Sequence, residues 1–231
     1  MKRKIAVFIV EGPTDRDSIQ EALGNLFPKV HFLVIHGDIT SNENITPHNI
    51  LSELGNKLKQ ELFIYHFSLK RVFRVFHLMD TDGAYIPDSA IVEGERLEYK
   101  KDRIESPILF NIRERNKRKG KLMDLLASKG SLCGLPYSCH YFSRNLEHVL
   151  HNVPDELSPE QKAEYSHQFA ETYQQEISGF VPFFAESSFT VPGNYSETWQ
   201  FIRQGLNSLQ RYSNFHLALD VLVQGERVHR N

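Results

Sequence analysis

The apolar segment KIAVFIV, residues 4–10, constrains the fold more than any other part of the sequence. After Lys4 it contains only apolar residues, most of them β-branched, and Gly12-Pro13 follows it closely. A strand with one face in water would alternate apolar and polar side chains. An uninterrupted apolar run is instead typical of a strand buried on both faces, in a parallel sheet covered by helices.

Strand and helix patterns alternate after this run. The spacing predicts a helix from Thr14 or Asp15 to about Leu26, and then three further elements: a strand at 30–35, a helix at about 47–67 and a strand at 71–79. This alternation predicts an α/β fold, with a mainly parallel sheet flanked by helices.

The remaining chain divides into an insertion, the end of the α/β domain and a helical region. Residues 84–116 are charged and contain two prolines, which we interpret as an excursion over the surface. We expect a helix at about 116–129, a strand at 137–142 and a helix from Ser143 to 151. Residues 1–152 then form the α/β domain and residues 153–231 a small helical region. Within that region we expect helices from about Ser158, at 195–211 and at 214–224, with irregular structure at 181–192.

Composition excludes several protein classes. No apolar run approaches the ~20 residues of a transmembrane helix. The amino-terminal run is short for a signal peptide and ends at the acidic Glu11, so we expect a cytoplasmic protein. Two cysteines do not make a disulfide framework, and their spacing from the nearby histidines is not a standard zinc spacing.

Acidic residues stand where two predicted strands end. Glu11 follows the first strand, and Asp80 and Asp82 follow the third. Ligands collect at the carboxyl ends of parallel strands, so these side chains can converge if the two strands are neighbours. Clustered carboxylates repel one another, and Mg²⁺, which prefers carboxylate oxygens, removes that cost. Asp15 and Asp17 are explained equally well as helix-capping and helix-dipole residues.

The motifs VEGPTD and HLMDTDG resemble those of the Toprim domain: Glu-Gly after a first strand, then hydrophobic-Asp-x-Asp after a later one. The resemblance covers roughly residues 4–150. The acid four residues after Glu11 is most similar to nucleases of the OLD (overcoming lysogenization defect) family. The helix SRNLEHVL, with Arg144 and Glu147, is similar to a second OLD-type motif.

This resemblance implies a Rossmann-like Toprim fold and a nuclease that cleaves DNA or RNA with Mg²⁺ or Mn²⁺, most simply two ions. It implies that Glu11 is also a general base. It further implies a prokaryotic anti-phage role and assembly, such as a homodimer. No GxxxxGK[ST] motif is present, so we expect a stand-alone protein or one that works with a separate ATPase or regulatory protein. The implied catalytic residues are Glu11, Asp80, Asp82 and Glu147, and the implied metal ligands are Glu11, Asp15, Asp80, Asp82 and Glu147.

The segment RERNKRKGK, residues 113–121, carries six cations in nine positions although the net charge is −2. Such a run either forms a solvated face or holds the phosphates of a nucleic acid. The candidate nucleic-acid-binding residues are Arg113, Arg115, Lys117, Arg118, Lys119, Lys121 and Arg144.

Two other functions remain open. The string LMDTDG also resembles the first motif of haloacid-dehalogenase phosphatases, in which the first Asp is a nucleophile. That motif normally lies on the first core strand, whereas here another strand with its own acid, Glu11, precedes it. Alternatively, the domain binds nucleic acid or a partner protein without catalysis.

Overall fold

The computed structural model describes residues 4–36, 39–153 and 157–227, apart from the side chains of residues 13–18, 36, 226 and 227. The helices are α1 (Pro13–Leu26), α2 (Ile50–Ile64), α3 (Leu109–Ala127), α4 (Leu146–His151), α5 (Pro159–Gln175), α6 (Phe180–Glu186), α7 (Tyr195–Ile202) and α8 (His216–Arg227). The strands are β1 (Lys4–Val10), β2 (Val30–His36), β3 (Val72–Asp80), β4 (Ile91–Glu93), β5 (Glu98–Tyr99), β6 (Ile104–Ser106), β7 (Ser131–Leu132) and β8 (Leu135–Phe142).

The main sheet has the strand order β2-β1-β3-β8-β7. Strands β2, β1, β3 and β8 are parallel, and the short β7 pairs antiparallel with β8. Helices cover this sheet, so the predicted α/β fold with a mainly parallel sheet is confirmed. The chain passes from β1 to β2 on one side and then returns to β3 on the other side of β1.

The two faces of β1 explain its unbroken apolar sequence. Ile5, Val7 and Ile9 belong to a core with residues from α2, α3 and α7. Ala6, Phe8 and the last residue of the strand belong to a second core, with residues from α1, α4, α5, α6 and α8. Each of the six apolar side chains from Ile5 onwards is at most 1% exposed. The helices after residue 153 therefore contribute to the layers on both sides of the sheet.

The insertion is more regular than the sequence suggested. Strands β4, β6 and β5 form a small sheet, and α3 begins at Leu109 rather than near residue 116. A separate small core joins this sheet to α3 through Ile91, Ile104 and Ile112. The prolines and charges of 84–116 gave no sign of these short strands.

Two predictions for the carboxyl-terminal region were wrong in part. Residues 181–192 are not wholly irregular, because α6 buries Phe180 and Phe184 against the sheet. The helix expected at 195–211 begins correctly, with a capping box at Asn194, but ends at Ile202. Turns follow it, and they contact the site described below. None of the helices in the described part of the chain is long and apolar enough to cross a bilayer.

Candidate active site

Two of the predicted acids lie at one edge of the main sheet. Glu11 directly follows β1, and Asp80 is the last residue of β3. These strands are parallel neighbours, so their carboxyl ends meet at the same edge. Strand order changes direction at β1, because β2 lies on one side and β3 on the other. This is the position at which open α/β sheets bind ligands.

A buried lysine joins the acids from these strands. The Nζ atom of Lys119, on α3, lies 2.5 Å from Oδ2 of Asp82 and 3.5 Å from Oε2 of Glu11. The Lys119 side chain is 0% exposed, while those of Glu11 and Asp82 are 10% and 27% exposed. Lys119 also donates a hydrogen bond of 3.4 Å to Ser41 Oγ, and Thr40 Oγ1 donates one of 3.0 Å to Glu11 Oε1. The loop after β2 therefore completes the surroundings of both charges.

Three carboxylates determine the ionisation of Lys119. Burial alone lowers the pKa of its ammonium group. The negative charges of Asp82, Glu11 and Asp80, together with the hydrogen bond to Asp82, outweigh burial and raise the pKa above its ordinary value. Lys119 is therefore a cation at neutral pH, and the field of Asp80 acts on the same atom as the other two acids.

A strained loop holds Asp82 in place. Asp82 has φ +46° and Gly83 has φ +70°, a region that favours glycine, and Arg144 has φ +59°. The Asp82 amide donates a hydrogen bond of 2.9 Å to the Arg144 carbonyl. The carbonyl of Ser208 accepts three further bonds, from Thr81 Oγ1 at 2.5 Å and from the Gly83 and Arg144 amides, each at 3.1 Å. The turns after α7 therefore fix the loop.

Two arginines hold the small sheet against this loop. The guanidinium groups of Arg115 and Arg144 lie 5.6 Å and 5.2 Å from the centre of the Tyr99 ring on β5. Arg115 donates a hydrogen bond to the Tyr99 hydroxyl, and Arg144 donates one of 3.2 Å to the Tyr99 carbonyl. Arg115 also donates one of 2.8 Å to the backbone carbonyl of Asp82. The insertion is thus tied directly to the carboxylate edge.

The other two predicted metal ligands are less closely connected. Glu147, at the start of α4, is mostly buried, and its Oε1 lies 3.4 Å from Nζ of Lys162 on α5. None of its described contacts is with Glu11, Asp80 or Asp82. The side chain of Asp15, like that of Asp17, lies outside the described residues.

The donor atoms at this edge fit a hard divalent cation. They are carboxylate and hydroxyl oxygens, the ligands that Mg²⁺ and Mn²⁺ take. Among the side chains that the structure describes, no three His, Cys, Asp or Glu residues form a group that could hold a metal ion. The carboxylates of Glu11 and Asp82 are arranged around the ammonium group of Lys119.

The basic run divides into two sets. Arg115, Arg118 and Lys119 are directed to neighbouring segments, and Arg118 donates a hydrogen bond of 2.9 Å to the Ser41 carbonyl. Arg144 is also buried. The three remaining cations lie on one face of α3, four residues apart, with two exposed and the first partly exposed. They are Arg113, Lys117 and Lys121.

Comparison with known proteins gives no match. No family model, curated protein or solved structure matches the chain. The resemblance to Toprim domains thus remains one of motifs, and the arrangement of the site is described from this chain alone.

Sequence reasoning placed Lys119 among surface cations and missed its buried position. The signal was present in α3, where the buried positions Ile112, Asn116, Lys119, Met123 and Leu126 follow one another at intervals of three or four residues. Reading the helix from Leu109 would have put Lys119 on its inner face. Ser208, by contrast, acts through its backbone carbonyl, which no side-chain pattern reveals.

Proposed function

We propose that this chain is a metal-dependent nuclease that cleaves phosphodiester bonds in DNA or RNA. One observation carries the proposal: acids from the ends of two neighbouring strands, Glu11 and Asp82, share one fully buried cation, and Asp80 acts on the same cation. A group of acids held together at the functional edge of an α/β sheet is the arrangement that the Toprim resemblance leads us to expect.

In this proposal Glu11, Asp80 and Asp82 hold the divalent cations, with Glu147 and Asp15 as further ligands. Mg²⁺ or Mn²⁺ ions held by these residues, most simply two, would supply an activated water and would stabilise the leaving oxygen. Thr40 orients the Glu11 carboxylate through its hydrogen bond. The bonds to the Ser208 carbonyl keep Asp82 in its unfavourable backbone conformation.

The position of Glu11 favours a nuclease over a haloacid-dehalogenase-like phosphatase. In the phosphatase, the Asp80 and Asp82 pair would act without Glu11. Here Glu11 shares the ammonium group of Lys119 with Asp82, so removing it would alter the surroundings of the pair. The proposal therefore includes Glu11 in the reaction, whereas the phosphatase would tolerate its loss.

The test of this function is cleavage by the purified chain. With Mg²⁺ or Mn²⁺ we expect cutting of plasmid DNA, messenger RNA or transfer RNA, and no cutting in EDTA. Hydrolysis of p-nitrophenyl phosphate without cleavage of any nucleic acid would support the phosphatase instead. Binding of nucleic acid without cleavage under any of these metal conditions would support a non-catalytic module.

The outer face of α3 is proposed to hold the phosphate backbone. Lys117 and Lys121 are exposed, and Arg113 is partly exposed, on the same helix whose inner face carries Lys119. Only one of the three has an ion pair among the described residues: Lys117 Nζ lies 3.9 Å from Glu114 Oε1, and its side chain is 63% exposed. An exposed pair of this kind contributes little, so these cations are available to phosphates.

Replacing all three cations with glutamine should weaken nucleic-acid binding and its dependence on salt. Each phosphate contact contributes about 0.9 to the slope of log K against log salt for duplex DNA, so the slope should fall by about 2 to 3. The measurement is a fluorescence-anisotropy titration at several salt concentrations. The matched control replaces three exposed lysines elsewhere, Lys29, Lys59 and Lys70, with glutamine. Equal loss of slope in the two triple variants would contradict a specific role for α3.

The biological setting of the proposal rests on the OLD resemblance alone. It includes a cytoplasmic, prokaryotic anti-phage role and a separate ATPase or regulatory protein that restrains cleavage. Co-purification with an ATPase would support this restraint. A rate of cleavage that does not change when the co-purifying ATPase is added to the isolated chain would count against it.

A further inference from the structure

The burial of Lys119 requires a physical explanation. Lysine is almost never fully buried unless it is paired, because removing an ammonium group from water is costly. Lys119 is 0% exposed and directs its charge at Asp82 and Glu11. Exposed lysines occur two residues away on either side, at 117 and 121, so the helix carries cations that remain in water.

The packing of α3 keeps the ammonium group in place. Leu122 and Met123, one turn further along the helix, are each 0% exposed in the core against the main sheet. At Gly120, an added Cβ atom would meet the Tyr85 ring at 3.4 Å, so the helix lies close against that ring. Ser41 accepts a hydrogen bond from Nζ on the side of the loop after β2. The ammonium group is therefore held beside the acids by a well-packed helix, and does not belong to a flexible surface side chain.

We propose that Lys119 is an internal counter-ion that competes with a divalent cation for Glu11 and Asp82. It stabilises the metal-free chain and keeps metal affinity lower than the acids alone would give. The inference rests on the proposed function only in that it takes these acids as the metal ligands.

Competition follows from the atoms involved. Asp82 Oδ2 is only 2.5 Å from Nζ, so the ammonium group occupies the space beside the oxygen that a metal ion would contact. A divalent cation that binds these oxygens also repels the ammonium group in a buried site, where screening by water is weak. Metal binding therefore has to displace Nζ from Asp82 or weaken that contact.

The experiment compares metal binding by the wild type with binding by Lys119→Met, which keeps the stem of the side chain but removes the charge. Calorimetric titration with Mn²⁺ should show about tenfold or greater tightening, within the ~5- to 150-fold range of typical coupling between ligands. In EDTA, the midpoint of thermal unfolding should fall. Lys121→Met, two residues further and exposed, should change neither quantity. Unchanged or weaker Mn²⁺ binding by Lys119→Met would overturn the proposal.

A second variant separates charge from shape. Lys119→Arg keeps the positive charge, so its Mn²⁺ affinity should not rise; a rise equal to that of Lys119→Met would overturn the proposal. If Lys119→Met does not fold in EDTA, titration with Mn²⁺ should restore its circular dichroism spectrum. Failure to refold at saturating Mn²⁺ would count against competition.

These readouts are independent of cleavage. Mn²⁺ binding without nuclease activity would contradict the proposed function while the affinity ratio still decides the role of Lys119. Cleavage with an unchanged affinity ratio would contradict the counter-ion alone. Absence of Mn²⁺ binding in both the wild type and Lys119→Met would overturn the two together.

Discussion

Glu11→Gln is expected to lower the rate of metal-dependent phosphodiester cleavage by about 10³-fold, within the range that a general base contributes. Glutamine has nearly the same shape, and its carbonyl oxygen can still accept the hydrogen bond from Thr40. It loses the negative charge that faces Lys119 and that a divalent cation would require. Loss of activity would therefore report on charge and proton transfer more than on packing. The measurement is the initial rate of plasmid or RNA cleavage at saturating Mn²⁺.

Two comparisons make this result interpretable. Glu43→Gln removes an exposed acid from the loop after β2 and should cleave at the wild-type rate. Asp80→Asn should lose activity to a similar extent as Glu11→Gln, because both acids stand at the ends of adjacent strands. Each variant is checked by circular dichroism and thermal unfolding. A folded Glu11→Gln protein with full cleavage activity would show that Glu11 takes no part in the reaction.

The strands were predicted well because a buried strand leaves a local run of apolar residues in the sequence. Strand β1 has the predicted bounds, and the carboxyl end of β3 lies within one residue of its predicted position. Most side chains buried on either face of a parallel sheet are apolar, so the pattern needs no knowledge of distant contacts. Glu11 and Asp80 could be found for the same reason, since they are the acidic residues at which these segments end.

Much of the site depends on contacts between residues far apart in the chain. Ser208 holds the Asp82 loop through a carbonyl 127 residues from Thr81. Tyr99 joins the small sheet to Arg115 and Arg144 through ring and hydrogen-bond contacts. Such contacts involve backbone carbonyls, which every residue has, or tyrosine and arginine side chains, which are common on protein surfaces. They leave no local pattern, so the insertion appeared in the sequence as an irregular excursion.

Lowering the pH should destabilise the fold at values well above those at which carboxylates take up protons. His77 and His140 are 0% and 2% exposed on neighbouring strands of the main sheet. Burial, with the nearby charge of Lys119, lowers the pKa of His77 to about 3. Burial likewise lowers the pKa of His140 to about 3, although a hydrogen bond to the Asn214 carbonyl opposes it, and Arg74 and His216 lower it further. Both imidazoles therefore stay neutral in the folded chain at mildly acidic pH.

The unfolded chain binds protons at these two residues below about pH 6.5, whereas the folded chain does not until about pH 3. Their contribution to stability is therefore fully present above pH 6.5 and is lost as the pH falls towards 3. Between pH 7 and pH 5 each of these two histidines should cost about 2 kcal/mol, so together they should lower the free energy of unfolding by about 4 kcal/mol. His148, whose pKa burial lowers to about 4, adds to this fall.

Urea unfolding in EDTA at pH 7, 6 and 5 measures this loss without a contribution from metal binding. His77→Gln and His140→Gln should each reduce the fall between pH 7 and pH 5 by about 2 kcal/mol, whatever their effect on stability at pH 7. His167, whose side chain is 73% exposed, provides the control, since His167→Gln should leave the pH dependence unchanged. A free energy of unfolding that stays level between pH 7 and pH 5 would show that protons reach these imidazoles in the folded chain. In that case His77, whose pKa is lowered by burial and by the charge of Lys119, would be accessible to protons from solvent despite its burial.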